Sequence, residues 1–492
     1  MKLTILGGGG FRVPLVYGAL LRDHAAGRVT HLTLHDLDPA RLAAVARVLA
    51  DQAADVPDAP EVRTTTDLDD ALRGADFVFS AIRVGGLAGR AADERVALAE
   101  GVLGQETVGA GGIAYGLRTV PVAVDIARRV ARLAPDAWVI NFTNPAGLVT
   151  EAMAAHLGRR VVGICDSPVG LGRRVARVLG ADPGSARLDY VGLNHLGWLR
   201  GLYVDEQDVL PRLFDDERLL TSFEEGRLFG AEWLRSIRSV PNEYLHYYYF
   251  NRETVAAYQQ AEQTRGAFLH DQQARFYDEM AHPSTPALAA WDRTRAEREA
   301  TYMAENREAA GAGEREADDL ESGGYENVAL ALMRAIARDE SATLILNVPN
   351  GNVLGGSTPN GSAPAGSSPS GSGSGSGIGI GMGTGIGSSG ASGGGRTLAV
   401  LDEAAVIEVP CQVDANGPRP LPVSQLSGHE AALVSAVKAV ERSVLEAAES
   451  GSARAAVRAF ALHPLVDSVN VAGRLLDGYR DVHPGLGYLT KS

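Results

Sequence analysis

Two short runs place soft metal-binding groups about thirty residues apart. Cys165-Asp166-Ser167-Pro168 follows the apolar run Val161-Val162-Gly163-Ile164, and Gly192-Leu193 leads into Asn194-His195. Thiolate and imidazole suit a first-row divalent metal such as Mn, Fe, Co, Ni or Zn, whereas a lone buried cysteine is usually a small hydrophobe. A second chemistry opens the chain. Lys2 to Leu6 reads as a buried strand, Gly7-Gly8-Gly9-Gly10 as a turn, and Pro14 onward as an amphipathic helix. Strand, glycine turn and helix N-terminus together can receive a pyrophosphate on backbone N–H groups. Gly7 and Gly9 fit G-x-G, and Arg12 stands at the third glycine position. A second strand, His31 to His35, ends in Asp36, the acid that would bond a ribose hydroxyl. Asn141 and Asn144, at the end of an Ala137–Phe142 strand, are placed for a nicotinamide ribose or a substrate hydroxyl.

The elements that must position these groups alternate. Helix over 39–53, strand over 63–66, helix over 68–73 and strand over 77–82 imply a parallel sheet covered on both faces. Residues 83–112 carry Arg83, Arg90, Gln105 and Glu106 among so many glycines that no helix is expected, only a loop at a strand's carboxyl end. From about Asp189 the pattern changes to an antiparallel strand pair and longer helices. Helical spacing in Pro241–Phe250 would put Tyr244, Tyr247 and Tyr248 on one face, a pattern that core packing also produces. Thr264-Arg265-Gly266 opens a charged helical region reaching about Asp319, Tyr325–Arg338 is an amphipathic helix, and Ala342–Val348 is a strand. The expected fold is α/β: a Rossmann-like doubly wound parallel sheet over 1–188 and an α+β domain over 189–492. Residues 355–395, nearly all Gly, Ser, Pro and Ile without charge, are expected to form a disordered insertion in a surface loop.

Composition narrows the function classes. With 492 residues and a net charge of -14, the chain can bury a large core and is ill suited to a phosphate-backbone partner. Two cysteines exclude a disulfide framework and fit a reducing cytoplasm. The N-terminus lacks the pattern of a signal peptide, and no apolar run is long enough to span a membrane. The expectation is a cytoplasmic protein that binds neither nucleic acid nor membrane.

Several longer motifs carry a family resemblance. They are Arg83-Val84-Gly85-Gly86-Leu87 with Arg90 and Asp93-Glu94-Arg95, Gly104-Gln105-Glu106-Thr107, Asn141-Phe142-Thr143-Asn144-Pro145-Ala146-Gly147, Cys165-Asp166-Ser167-Pro168 and Gly192-Leu193-Asn194-His195. Together they resemble glycoside hydrolase family 4, whose members are NAD- and divalent-metal-dependent glycosidases, mostly acting on 6-phosphoglucosides. The likeness runs from the first glycines to the strands around Glu408 and Pro420. It implies a lactate/malate-dehydrogenase-like architecture and a homodimer or homotetramer. NAD would lie on Gly7, Gly8, Gly9, Gly10, Phe11, Asp36 and Asn141, and the metal, usually manganese, on Cys165 and His195. Tyr244 would take the proton from sugar C2, Glu106 would raise that tyrosine's basicity, and Asp166 corresponds to the proton donor of α-cleaving members. Arg90, Asn144 and Arg265 would hold the substrate, the guanidinium groups pairing bidentately with phosphate.

The implied route is redox elimination and addition: hydride abstraction from C3, deprotonation at C2, loss of the aglycone and addition of water, with NAD recycled. The family is a known exception to the two-carboxylate rule of glycosidases. Asp166 and the run Gly111–Arg118 resemble the 6-phospho-α-glucosidase type. The Arg83–Leu87 run, Asp93-Glu94-Arg95 and Tyr244–Tyr248 resemble the 6-phospho-β-glucosidase branch, which is the favoured expectation. An α-galactosidase or α-glucuronidase type stays open within the family. Outside it stand a 2-hydroxy-acid dehydrogenase, which shares the Rossmann start and a Thr-Asn-Pro strand end, and a non-catalytic NAD sensor.

Overall fold

The computed structural model describes residues 1–301, 324–351 and 395–490. Strands β1 (Lys2–Leu6), β2 (His31–His35), β3 (Glu61–Thr65), β4 (Phe77–Ser80), β5 (Trp138–Asn141) and β6 (Val161–Gly163) pair in parallel. Their order, β3-β2-β1-β4-β5-β6, is that of a doubly wound dinucleotide-binding sheet. Such a sheet binds ligands outside the carboxyl ends of its strands, at the point between β1 and β4 where the order reverses. Helices α1 (Val13–Leu21), α2 (Pro39–Ala53), α3 (Leu68–Leu72), α4 (Gly86–Ala99), α5 (Gly109–Leu133), α6 (Ala146–Leu157) and α7 (Ser167–Val178) connect and cover it. Local chemistry sets their starts. Asp38 caps α2 by accepting from Ala40 N and Arg41 N, and Pro39 fills the first turn, where a missing N–H costs nothing.

The expectation that 83–112 holds no helix is overturned, because α4 and the start of α5 lie there. Gly85 and Gly86 take left-handed φ values of 87° and 61° at the cap and the first residue of α4. Gly111 and Gly112 sit inside α5 because a Cβ would come within 2.4 Å of Gln105 O and 2.5 Å of Thr107. These glycines let the Gln105–Thr107 segment lie directly on the helix.

The second half continues the same sheet. Strands β7 (Arg187–Leu193) and β8 (Leu196–Val204) form an antiparallel hairpin, with β9 (Gln207–Asp208) and β10 (Val240–Pro241) along β8. Strands β11 (Ala342–Pro349), β12 (Val406–Asp414) and β13 (Gly417–Pro420) are antiparallel neighbours. One backbone pair joins β11 to β6 (Asn347 with Gly163) and one joins β12 to β7 (Glu408 with Gly192). Thus β11 and β12 lie between the strands that carry Cys165 and His195.

Around this half pack the short helices α8 (Pro211–Asp215), α9 (Glu217–Thr221), α10 (Glu224–Phe229), α11 (Ala231–Ile237) and α12 (His246–Tyr249). Longer ones follow: α13 (Asn251–Gln260), α14 (Arg265–Met280), α15 (Ala287–Ala300), α16 (Tyr325–Arg338), α17 (Gly428–Ser450), α18 (Ala453–Leu462) and α19 (Val469–Val482). The charged helical region expected to about Asp319 is thus two helices as far as Ala300, and its part from 302 lies outside the described residues. The Gly/Ser insertion expected at 355–395 lies outside them too, apart from Gly395. Its two ends are held together. Gly351 bridges Arg396, Thr397 N donates to Asn350 O, and the Asn350 amide bonds Leu398, Leu401 and Asp402. Among the described residues no helix is long and apolar enough to cross a membrane.

Candidate active site

A cavity of about 980 Å³ opens at the carboxyl rim of the parallel strands. Its wall includes Gly7, Gly10, Phe11, Asp36, Arg90, Glu106, Asn144, Cys165, Asp166, His195, Tyr244 and Arg265. Twelve of the residues singled out in the sequence are therefore brought together from both halves of the chain.

The glycine turn is built by close approach. A Cβ on Gly7 would sit 2.5 Å from Ala81 O, one on Gly8 2.7 Å from Leu34 Cβ, and one on Gly9 2.7 Å from Arg41 Cβ. Gly8 and Gly9 thus let the turn pack against β2 and α2, and they do not line the cavity. Asp36 Oδ2 accepts from Gly9 N at 3.0 Å, which ties the ribose-type acid to the turn. From the other side Tyr277 donates to Gly9 O at 2.6 Å and Trp291 Nε1 to Phe11 O at 2.8 Å. Asn141, expected at the cofactor, is corrected. Its side chain is wholly buried, donates to Thr143 O, Ala146 O and Thr150 Oγ1, and accepts from Thr143 N. With those bonds made it braces the turn after β5 and does not line the cavity.

Cys165 follows β6, and His195 sits in the two-residue turn between β7 and β8 with a left-handed φ of 60°. A non-glycine residue held there stores a modest strain, of a kind that concentrates at functional sites. The result is a Sγ to Nε2 distance of 3.6 Å. The tautomer follows from the neighbours. Gln105 Oε1 accepts from Thr107 N (2.7 Å), Val108 N (2.9 Å) and Thr107 Oγ1 (3.0 Å). The threonine hydroxyl has one proton, so with His195 Nδ1 at 2.9 Å it must accept. Nδ1 therefore carries the hydrogen, and the Nε2 lone pair faces the thiol. Burial holds the imidazole down to about 3, hence neutral, and pushes the Cys165 thiol well up, aided by Glu408 and Asp166. A neutral imidazole lone pair beside a sulfur fits one edge of a divalent metal's shell. Among the described residues no group of three or more His, Cys, Asp or Glu is arranged to hold a metal.

Tyr244 lies in a 3-10 turn, Glu243–Leu245, and its ring stacks on His195 with centroids 3.6 Å apart. The three tyrosines do not share one role. Tyr247 also lines the cavity, whereas Tyr248 stacks on His463 and stays outside it. Asp166 lines the wall, and its carboxylate bonds no described residue.

One side of the cavity is cationic. Glu106 sits between Arg83 Nη2 at 2.7 Å and Arg90 Nη1 at 3.0 Å. Burial pushes its carboxyl up, but the two arginines outweigh this and hold it well below the usual carboxylate range. Glu94 accepts from Arg90 Nε at 3.0 Å and from Gly266 N at 2.7 Å, so one carboxylate positions both Arg90 and the start of α14, where Arg265 stands. Arg265 in turn donates to Thr301 Oγ1 and Arg298 O. Arg298 has no carboxylate within ion-pair range among the described residues, and burial with Arg12 and Arg265 nearby drives its guanidinium well below its ordinary range. A guanidinium does not deprotonate in proteins, so that direction reports a demand for an anion. Nothing in the sequence distinguishes Arg298 from Arg293 and Arg295 on the same helix.

A model described as family 4 glycosyl hydrolase matches residues 2–181, and one described as the C-terminal domain of that family matches 190–356 and 393–466. A probable 6-phospho-beta-glucosidase of Bacillus subtilis is 29% identical over 98% of this chain and 96% of its own length. A maltose-6'-phosphate glucosidase of Clostridium acetobutylicum is 27% identical over 98% and 97%. The solved 6-phospho-beta glucosidase of Thermotoga maritima, with manganese, NAD+ and glucose-6-phosphate, superposes with a TM-score of 0.74 over 98% of each chain at 24% identity, which shows a common fold. With both halves matched by its models, the chain belongs to the family 4 glycosyl hydrolases.

Proposed function

We propose that this chain is an NAD- and manganese-dependent 6-phospho-β-glucosidase. The observation that carries the reading is one cavity in which a dinucleotide-type glycine turn, the Cys165–His195 pair under Tyr244 and a group of buried arginines adjoin. In this reading residues 1–188 hold the dinucleotide, and 189–492 complete the metal and sugar sites. Bound there, NAD would exchange hydride with the sugar and the metal would polarise neighbouring hydroxyls as a Lewis acid. The chain's own groups do the rest. Arg90, Arg265 and Arg298 take the 6-phosphate, with Asn144 beside them, and Cys165 and His195 hold the metal. Tyr244 removes the C2 proton, and Glu106 stays anionic between Arg83 and Arg90. Two buried, unpaired cysteines suit a reducing cytoplasm.

A second reading, a 6-phospho-α-glucosidase, is favoured by one observation: the Asp166 carboxylate faces the cavity uncommitted to any described residue. Parallel assays of α- and β-linked nitrophenyl glucosides, each with and without a 6-phosphate, separate the two. With NAD and manganese supplied, we expect release from the phosphorylated β-glucoside without net NADH. Release only from the α-linked compound would select the second reading. Steady NADH formation from malate or lactate, with no glycoside cleaved, would overturn both.

A further inference from the structure

Three buried carboxylate oxygens among the described residues lack a hydrogen-bond donor: Glu106 Oε2, Glu151 Oε1 and Glu243 Oε2. The first has Arg83 at 2.7 Å and the second Arg442 at 2.8 Å. Glu243 Oε2 has neither a hydrogen bond nor an ion pair, although the residue is only 6% exposed and lines the cavity beside Tyr244. Its other oxygen is anchored, because Ser167 Oγ donates to Oε1 at 2.8 Å. Buried carboxylates that serve packing here look different. Glu225 spends both oxygens on Arg174, and Glu408 receives Asn194 and Asn347 on one oxygen and Tyr190 on the other. A buried acceptor left unmade is costly, so an anchored one in a cavity wall implies a donor that arrives with the ligand.

The place of Glu243 says which part of a ligand that is. The charges acting on it most are Glu225, Arg174 and Glu224, while those acting on Glu106 are Arg83, Arg90 and Arg298. Arg174, the cation nearest Glu243 in the cavity wall, is already paired with both oxygens of Glu225, so this stretch of wall is unsuited to phosphate. In a glucose ring C2 and C5 are opposite, so a phosphate on C6 held by the arginines directs C2 toward Tyr244 and the C1 substituent past it. We propose that Glu243, anchored by Ser167, hydrogen-bonds a hydroxyl of the leaving group. Burial, reinforced by Glu225, pushes the Glu243 carboxyl up to about 7, so the oxygen can donate as well as accept. This assignment rests on the phosphoglucosidase reading.

The test compares kcat/KM for a disaccharide phosphorylated on its non-reducing glucose with that for the nitrophenyl 6-phosphoglucoside, in whichever anomer the wild type cleaves. Glu243→Ala should lower the disaccharide-to-aryl ratio by about tenfold or more, as when a site built to bond a hydroxyl loses that bond. Glu243→Gln, whose amide can still bond a hydroxyl, should fall between, and Ser167→Ala should move the ratio in the same direction by less. NAD affinity, titrated on each variant, reports whether the protein is folded. A ratio unchanged in folded variants overturns the role of Glu243, whether both rates fall or neither does. A wild type that cleaves no 6-phosphoglucoside overturns the functional reading, and this inference with it.

Discussion

At the scale of single residues, Thr107 decides which nitrogen of His195 is free. Its hydroxyl gives its only proton to Gln105 and so must receive the hydrogen of Nδ1. A group that orients a metal ligand by hydrogen-bonding its far nitrogen is worth about tenfold to a hundredfold in metal affinity. Thr107→Val should therefore raise the Kd for Mn2+ by about that factor, read from the electron paramagnetic resonance of the free ion, with NAD affinity unaltered. Thr107→Ser should restore the wild-type value, and manganese affinity untouched by Thr107→Val would remove the hydroxyl from this role. Part of this site is legible in the chain and part is not. Gly7, Asp36, Cys165 and His195 announce themselves because each ends an apolar run, and a strand end is a local pattern. Ser167 with Glu243 and Thr107 with His195 are pairs 76 and 88 residues apart, and no spacing rule connects them. Asn141 misled for a related reason, since an amide at a strand end serves a turn as readily as a ligand.

At the scale of elements, the glycine content of 83–112 hides two helices, because glycine is required there by close packing and by helix starts rather than by a loop. The parallel strands were readable from their continuous apolar runs, as strands covered on both faces should be. The insertion expected from composition lies between β11 and β12, almost wholly outside the described residues. Residues 352–394 are bounded by ends clamped through Asn350, Gly351 and Arg396, none of which lines the cavity. Deleting them and joining Gly351 to Gly395 through a short turn should leave kcat/KM within about twofold and Tm unchanged or slightly raised, since shortening a closed loop lowers its entropy cost. A loss of activity with the fold retained would show that the segment takes part in catalysis.

At the scale of the whole molecule, stability depends on groups buried in the wrong charge state for acid. His463, buried under Tyr248, accepts Leu465 N on Nδ1 at 3.1 Å, and burial drags its pKa down to about 3. The unfolded chain takes up that proton near pH 6.5 and the folded chain does not, so stability falls as pH drops from 6.5 toward 3. Relative to wild type, His463→Asn should gain about 1.4 kcal/mol per pH unit through that window, measured by urea unfolding at several pH values. A difference that stays flat with pH would mean that His463 is protonated when folded. Glu408, pushed up to about 7 by burial, works in the opposite sense: its contribution is present at low pH and lost as pH rises through 7. The interleaved sheet has a further consequence in time. A ribosome delivers Cys165 and His195 early, but the strands that separate and align β6 and β7 arrive only with residues 342–414. The nascent chain therefore carries Cys165 and His195 for more than two hundred residues of synthesis before the strands that bring them together exist, so on the proposed reading metal capture comes late and marks a finished fold.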